Sequence, residues 1–195
     1  MIEKVALFSL PIGVFLFHLG FSKLSMWYLS KGAKQAVGLI NLILYPVVVS
    51  LLLALFFRTL LTGAPTGLFP GWVGGIAGYY MSLILGILPF SGPFFREIDL
   101  EFMLLALGAV EGSRAGSFKE LGSLMSSNTL SHWGLMFGAI LGALILSMIT
   151  KYLVTRSMGY YEREEEMVKG FVWGISIASG MVTIPVVLFF MMLSK

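Results

Sequence analysis

Polar side chains within apolar stretches are the first candidates for chemistry, because a polar group in hydrocarbon is costly and usually functional. The chain has two histidines, His18 and His132, each in or beside an apolar run. These imidazoles could exchange protons or bind a haem iron, but nothing in the sequence makes the two rings face each other, so we expect no cofactor. For His132, which precedes Trp133 at a helix start, a solvated interfacial imidazole is the preferred interpretation.

Three further polar residues could line a path through the membrane. Asn41 lies one turn inside an apolar run, where we expect its amide to join helices more readily than to hold a solute. Glu111 and Arg114 border another run, within EGSRAGSFKELGS. A carboxylate beside an arginine there could form an ion gate or proton site, although a surface loop with one exposed ion pair is preferred. The candidate solute or proton path therefore comprises Asn41, Glu111, Arg114, His18 and His132.

Chemistry that needs other residue types is excluded or unsupported. The chain has no cysteine, which rules out disulfides, thiolate metal sites and iron–sulfur clusters. No paired acids, metal-ligand set or nucleophile–base arrangement is recognisable, so we expect neither a catalytic site nor a metal site. A net charge of +3 is too small an excess to indicate nucleic-acid binding.

The elements that must position these residues are membrane helices. Of the 195 residues 57% are hydrophobic and 12% charged, whereas about a quarter of a soluble domain is charged. No soluble fold of this size could bury so much apolar surface, which excludes a soluble enzyme. We predict an all-α, polytopic transmembrane helical bundle, a single domain over 1–195. We expect the lipid bilayer of a cell membrane to surround it, with a prokaryotic plasma membrane as the favoured location.

The number of spans depends on one short segment. A span needs about 18 consecutive apolar residues or more. Ile98–Glu111 is apolar without interruption over only about half that length, so the protein has five spans if this segment lies flat and six if it crosses, which we favour. The first span is interpreted as a retained helix, because no signal-cleavage site follows it. Apart from Ile98–Glu111, the predicted spans are Val5–Ser22 (the first span), Ala36–Phe57, Gly71–Phe90, Trp133–Thr150 and Gly170–Ser194.

Weak similarities between residues 1–95 and 96–195 suggest an internal duplication. SKGAKQAVG (30–38) resembles SRAGSFKELG (113–122), RTLLT (58–62) resembles KYLVT (151–155), and GWVGGI (71–76) resembles GFVWGI (170–175). Two units of three helices would form an inverted 3+3 repeat, an arrangement common in transporters. The preferred alternative is that Gly-rich apolar helices resemble one another by composition alone.

Glycines at helical spacing predict close helix packing. Gly134, Gly138 and Gly142 recur every four residues, and Gly74, Gly75 and Gly78 form a second group. Small residues let backbones approach, which replaces the hydrophobic drive that is missing between helices in lipid. Packing within the chain is favoured over packing against a second copy.

The second glycine group also carries a family resemblance. GGIAG at 74–78, followed about fifty residues later by His132, resembles the motif pattern of rhomboid intramembrane proteases. His18, Phe21 and WYL at 27–29 resemble that family's early helix, which carries an oxyanion-hole histidine. The resemblance implies a serine nucleophile within the glycine motif, with His132 as its base. Ala77 occupies the nucleophile position and has no hydroxyl, so the resemblance implies a pseudoprotease.

A second resemblance concerns Yip-type membrane proteins, which span the membrane five times. GSFK at 116–119 is similar to a loop motif of that family, and Tyr45-Pro46 is similar to its Tyr-Pro helix. This resemblance implies a non-catalytic, partner-binding membrane protein.

The expected function is to move or gate a small solute or ion across the bilayer. The alternative is a non-catalytic membrane subunit or partner-binding scaffold, Yip-like or pseudo-rhomboid-like, in contact with a second copy or with other membrane subunits. A transporter should present polar residues to a cavity within the membrane. A subunit should instead have a packed interior and a broad apolar or Gly-lined face.

Overall fold

A computed structural model describes residues 2–87, 98–157 and 164–193, so the last residues of the predicted spans Gly71–Phe90 and Gly170–Ser194 lie outside the described residues. Over these ranges the chain is helical with no strand, which confirms the all-α class. The elements are α1 (Ile2–Ser30), α2 (Lys34–Leu39), the π-helical turn π1 (Ile40–Leu44), α3 (Tyr45–Thr62), α4 (Phe69–Ile87), α5 (Ile98–Ser113), α6 (Phe118–Ser127), α7 (Leu130–Ser157) and α8 (Glu164–Leu193).

Four helical stretches in the described ranges are long and apolar enough to cross a membrane. They belong to α1, to the continuous run from α2 to α3, to α7 and to α8. In α1, α3 and α7 many apolar side chains point outward, as expected where lipid is the solvent, whereas most of the α8 stretch is buried. The fold is therefore that of a membrane-embedded helical protein. The four stretches are Phe8–Ser30, Lys34–Thr62, Leu130–Thr150 and Val172–Leu193.

Helix α5, which contains the short segment Ile98–Glu111, forms the centre of the bundle. Helix α5 packs against α3, α4, α7 and α8. Phe102, Met103, Leu105 and Val110 are at most 1% exposed, although they point in different directions around the helix. A helix that is apolar on all sides has no face suited to water, so it takes an interior position. The described contacts place this helix inside the bundle.

Helices α1 and α8 run in opposite directions, and so do α4 and α5. Gly180 of α8 lies against the Pro11 carbonyl and Phe15 of α1, while Gly78 of α4 lies against Leu104 of α5. The contacts between helices define two ends of the bundle. The "Arg58 end" holds the last turns of α3, α5 and α8 and the start of α7. The "Asn41 end" holds π1, the last turns of α1 and α4, and the first turns of α5.

Glycines bring α4 and α5 into backbone contact. A Cβ atom at Gly108 would collide with the carbonyl oxygen of Gly74, and one at Gly112 with the Pro70 carbonyl. On the next face of α4, a Cβ atom at Gly75 would lie 2.7 Å from the Ser50 side chain of α3. The glycines of α4 therefore let it pack closely between α3 and α5, in the manner of small-residue membrane interfaces.

The glycines of α7 are placed differently. Among the described residues, a Cβ atom at Gly134 or Gly138 would have no neighbour within 4 Å, and one at Gly142 would lie 3.4 Å from the Pro185 ring. Packing inside the chain was favoured for these glycines, and the structure differs at the first two. The reason is that α7 buries another face, which includes Ala139 and Ala143. Four-residue spacing defines a stripe on a helix but not what covers it.

Candidate functional site

The first polar site arises from a break in helical hydrogen bonding before Pro46. The Tyr45 N–H donates to the Ile40 carbonyl, five residues back, and Pro46 has no N–H. The Asn41 and Leu42 carbonyls thereby lose the donors that a regular α-helix would supply. The hydroxyls of Tyr79 and Tyr80 on α4 donate to these two carbonyls, at 3.0 and 2.9 Å respectively.

His18 is fixed beside this turn by two hydrogen bonds. Its Nδ1–H donates to the Val14 carbonyl at 2.9 Å, which leaves Nε2 to accept from the Tyr45 hydroxyl at 2.7 Å. The ring is 2% exposed and packs edge-on against Phe102 of α5, with ring centroids 5.0 Å apart. The His18–Tyr45 pair therefore ties α1 to the turn between π1 and α3.

A cavity of about 270 Å³ opens beside this pair, and we call it the His18 cavity. Its apolar walls include Phe21 of α1 and Val172 of α8. The Asn41 side chain is exposed. We expected its amide to join two helices, but it is the Asn41 backbone carbonyl that does so, by accepting from Tyr79 of α4. The polar lining includes His18, Asn41, Tyr45, Tyr79 and Glu101.

We expect Tyr79→Phe to lower the free energy of unfolding by about 1–2 kcal/mol, because it leaves the Asn41 carbonyl without its hydroxyl donor. Tyr80→Phe is the matched control. Its bond to Leu42 is exposed, so its loss should cost less. Chemical unfolding of both variants in detergent would measure the difference. Equal losses would contradict the larger role assigned to the Tyr79 hydroxyl, whose bond is partly buried.

The second polar site is an ion-pair cluster formed by Glu111, Arg114, Asn128 and His132. Arg114 Nη1 donates to Glu111 Oε2 at 3.0 Å and to Asn128 Oδ1 at 3.4 Å. His132 Nε2 lies 3.1 Å from Glu111 Oε1, within ion-pair distance but outside hydrogen-bond geometry.

The burial of this cluster corrects two expectations. The His132 side chain is 7% exposed and packs against Phe189, with ring centroids 5.6 Å apart, so it is not a solvated interfacial imidazole. Glu111 and Arg114 are 20% and 22% exposed, and Glu111 belongs to α5, so they do not form an exposed pair on a surface loop. The interior position of α5 places Glu111 beside α7, which the local sequence does not reveal.

The two sites divide the candidate path residues between opposite ends of the bundle. His18 and Asn41 lie at the Asn41 end, and the ion-pair cluster lies at the Arg58 end. Helix α5 connects them, because Glu101 lines the His18 cavity and Glu111 lies ten residues further on, or about 15 Å along the axis. The sequence analysis did not identify Tyr45, Tyr79 and Glu101 as residues of the site. Pro46 within an apolar run was the available signal, because proline leaves a helical carbonyl without its N–H donor.

The residues of the rhomboid resemblance do not meet at one site. His18 bonds to Tyr45 at the Asn41 end, whereas His132 contacts Glu111 at the Arg58 end. In the second resemblance, Ser117 caps helix α6, its Oγ accepting from the Glu120 N–H at 3.3 Å. No protein-family model, curated protein or solved structure matches the chain. Neither resemblance therefore gains support from a family match.

Proposed function

We propose that this membrane protein binds a small solute or ion in the His18 cavity and moves it across the bilayer along α5. The observation that carries the proposal is the cavity itself, in which polar groups gather at a broken turn of an apolar helix. Single π turns occur often at functional sites, since they redirect carbonyls that a regular helix would use internally. Polar groups in lipid are costly, which favours a functional reason for their presence here.

The proposal includes six membrane crossings. The crossings would be α1, α2–α3, α4, α5, α7 and α8 in alternating directions. Two of the helix contacts are compatible with an inverted 3+3 repeat. Helix α1 packs on α8 as α5 packs on α4, so the first helix of each half contacts the last helix of the other half. Assignment to a prokaryotic plasma membrane is part of the same proposal.

The described conformation is closed between the two polar sites. Phe102 stands beside His18, and the following turns of α5 are buried among apolar side chains, including Leu105 and Val110. A solute in the His18 cavity would reach the ion-pair cluster only after α5 moved relative to its neighbours. Such a rearrangement is what alternating access requires of a site between two helical units.

We expect Tyr45→Phe to reduce solute flux about tenfold. The loss of one hydrogen bond worth about 1.4 kcal/mol would weaken solute binding or passage by that factor. The variant keeps the ring but removes the hydroxyl that bonds His18. Reconstituted protein in liposomes would be tested against a panel of ions and small polar solutes. Tyr152→Phe, at an exposed position of α7, is the matched control and should keep the wild-type flux.

Two results would contradict transport through this cavity. The first is the absence of flux for every solute tested with wild-type protein that is folded and correctly inserted. The second is a flux that Tyr45→Phe leaves unchanged, because the solute would then bypass the His18 cavity.

The second candidate function is that of a non-catalytic membrane subunit, favoured by the open face at Gly134 and Gly138. Exposed Phe137 and Leu141 continue this face along α7, and a partner helix, from a second copy or another subunit, could approach closely there. Gly138→Ile would block that approach. A smaller assembly by light scattering with unchanged flux would indicate a subunit interface distinct from the solute site.

A further inference from the structure

A cavity with a basic lining lies at the Arg58 end, separate from the His18 cavity. Its volume is about 270 Å³, and its walls come from α3, α6, α8 and the residue after α5. Arg58, Thr62 and Arg114 supply its polar lining. No carboxylate is found among the described residues that line it.

Arg58 is held in place by neutral acceptors. Its Nε donates to the Thr66 carbonyl at 2.7 Å and its Nη1 to the Ser113 carbonyl at 3.0 Å. These bonds orient the guanidinium without neutralising it. In the described part of the chain, no carboxylate oxygen lies within 4.0 Å of the group, and Nη2 has no hydrogen-bond partner. The nearest described carboxylate is that of Glu120, because a Cβ atom at Gly116 would lie 3.1 Å from both Arg58 Nη2 and Glu120 Oε2. Glu120 Oε2 accepts from the Gly116 N–H at 2.6 Å and does not line the cavity, so Nη2 keeps an open donor for an anion.

Arg114 brings a second guanidinium to the same cavity. It directly follows Ser113, whose carbonyl accepts from Arg58, and both arginines line the cavity. Glu111 pairs with Arg114 through Nη1 and also lies within ion-pair distance of His132. The Glu111 carboxylate is thus shared and orients Arg114. Both arginines line the cavity, whereas neither Glu111 nor Glu120 does.

The remaining walls are apolar. They include Leu124 of α6 and Phe190 and Leu193 of α8. The apolar stretches of α3 and α8 end at this level, which is where lipid headgroups meet protein if these helices span the bilayer. Guanidinium groups bind phosphate oxygens through paired N–H donors. From this combination, we infer that the Arg58 cavity binds a phosphate group, from a phospholipid headgroup or a soluble phosphate compound.

The test measures ligand-dependent shifts of the unfolding midpoint of the full chain in uncharged detergent. The probes are a short-chain phosphatidylglycerol, a diacylglycerol with the same acyl chains but no phosphate, and inorganic phosphate. We expect saturable binding of phosphatidylglycerol. Arg58→Lys and Arg114→Lys should each raise its apparent Kd about tenfold, because lysine keeps the charge but loses the paired donors. Lys119→Gln, an exposed basic position on α6, should leave the Kd unchanged.

The probes distinguish the source of the phosphate and can overturn the inference. Tighter binding of phosphatidylglycerol than of inorganic phosphate supports a lipid headgroup, and equal binding supports a soluble phosphate. If the wild-type protein binds diacylglycerol as tightly as phosphatidylglycerol, the inference is overturned, and this comparison needs no variant. Arginine variants that bind phosphatidylglycerol as tightly as Lys119→Gln does would also overturn it.

Discussion

Replacing Gly108 by valine should lower the free energy of unfolding by about 3 kcal/mol or more, the upper range for overpacking a well-packed interior. A Cβ atom at this position would collide with the Gly74 carbonyl oxygen and lie 2.8 Å from its carbonyl carbon. Both atoms belong to the backbone of α4, so no side-chain rotation can relieve the contact. Helices α4 and α5 would have to separate, and α5 is the centre of the bundle.

The chain offers a matched control for this change. Gly138→Val adds the same side chain to a membrane helix, but its Cβ atom would have no neighbour within 4 Å in the part of the chain that the structure describes. Unfolding in a graded denaturing detergent, followed by circular dichroism, would compare the two. Equal stability of the two variants would contradict backbone contact between α4 and α5.

Glu111→Gln should lower the free energy of unfolding by about 2 kcal/mol, since it removes the only negative charge of the ion-pair cluster. Arg114 and His132 would then share a partly buried site without their carboxylate. The expected loss lies below that of a fully buried pair, because Glu111 remains 20% exposed and is partly screened by solvent.

A double-mutant cycle would show whether the loss comes from the pair. Glu111→Gln combined with Arg114→Gln should cost less than the sum of the single changes, by about 1 kcal/mol, because the first change already removes the interaction. Lys119→Gln, which removes an exposed charge, should stay within about 0.5 kcal/mol of the wild type. Strictly additive losses would show that Glu111 and Arg114 do not stabilise each other. Flux through the Glu111→Gln variant would also test whether the cluster belongs to the solute path.

The environment and secondary structure of this protein follow from its sequence. Few charges and long apolar runs exclude a soluble fold, and they locate the helices around Ala36–Phe57 and Trp133–Thr150 whatever their neighbours are. The sequence also shows that Pro46 must leave a helical carbonyl without its donor. These are local consequences, since they depend on composition, length and the covalent structure of one residue.

Tertiary structure decided which residues meet. The tyrosines that compensate for Pro46 come from another helix, and the partner of Glu111 on α7 lies 21 positions along the chain. Packing also separated two glycine groups of similar spacing, since Gly74 and Gly78 contact the backbone of α5 whereas Gly134 and Gly138 are exposed. In a membrane, an apolar side chain is about equally stable against lipid or against a neighbouring helix, so periodicity alone does not indicate which face of a helix is covered. Shape and backbone contact decide that, and both depend on the whole chain.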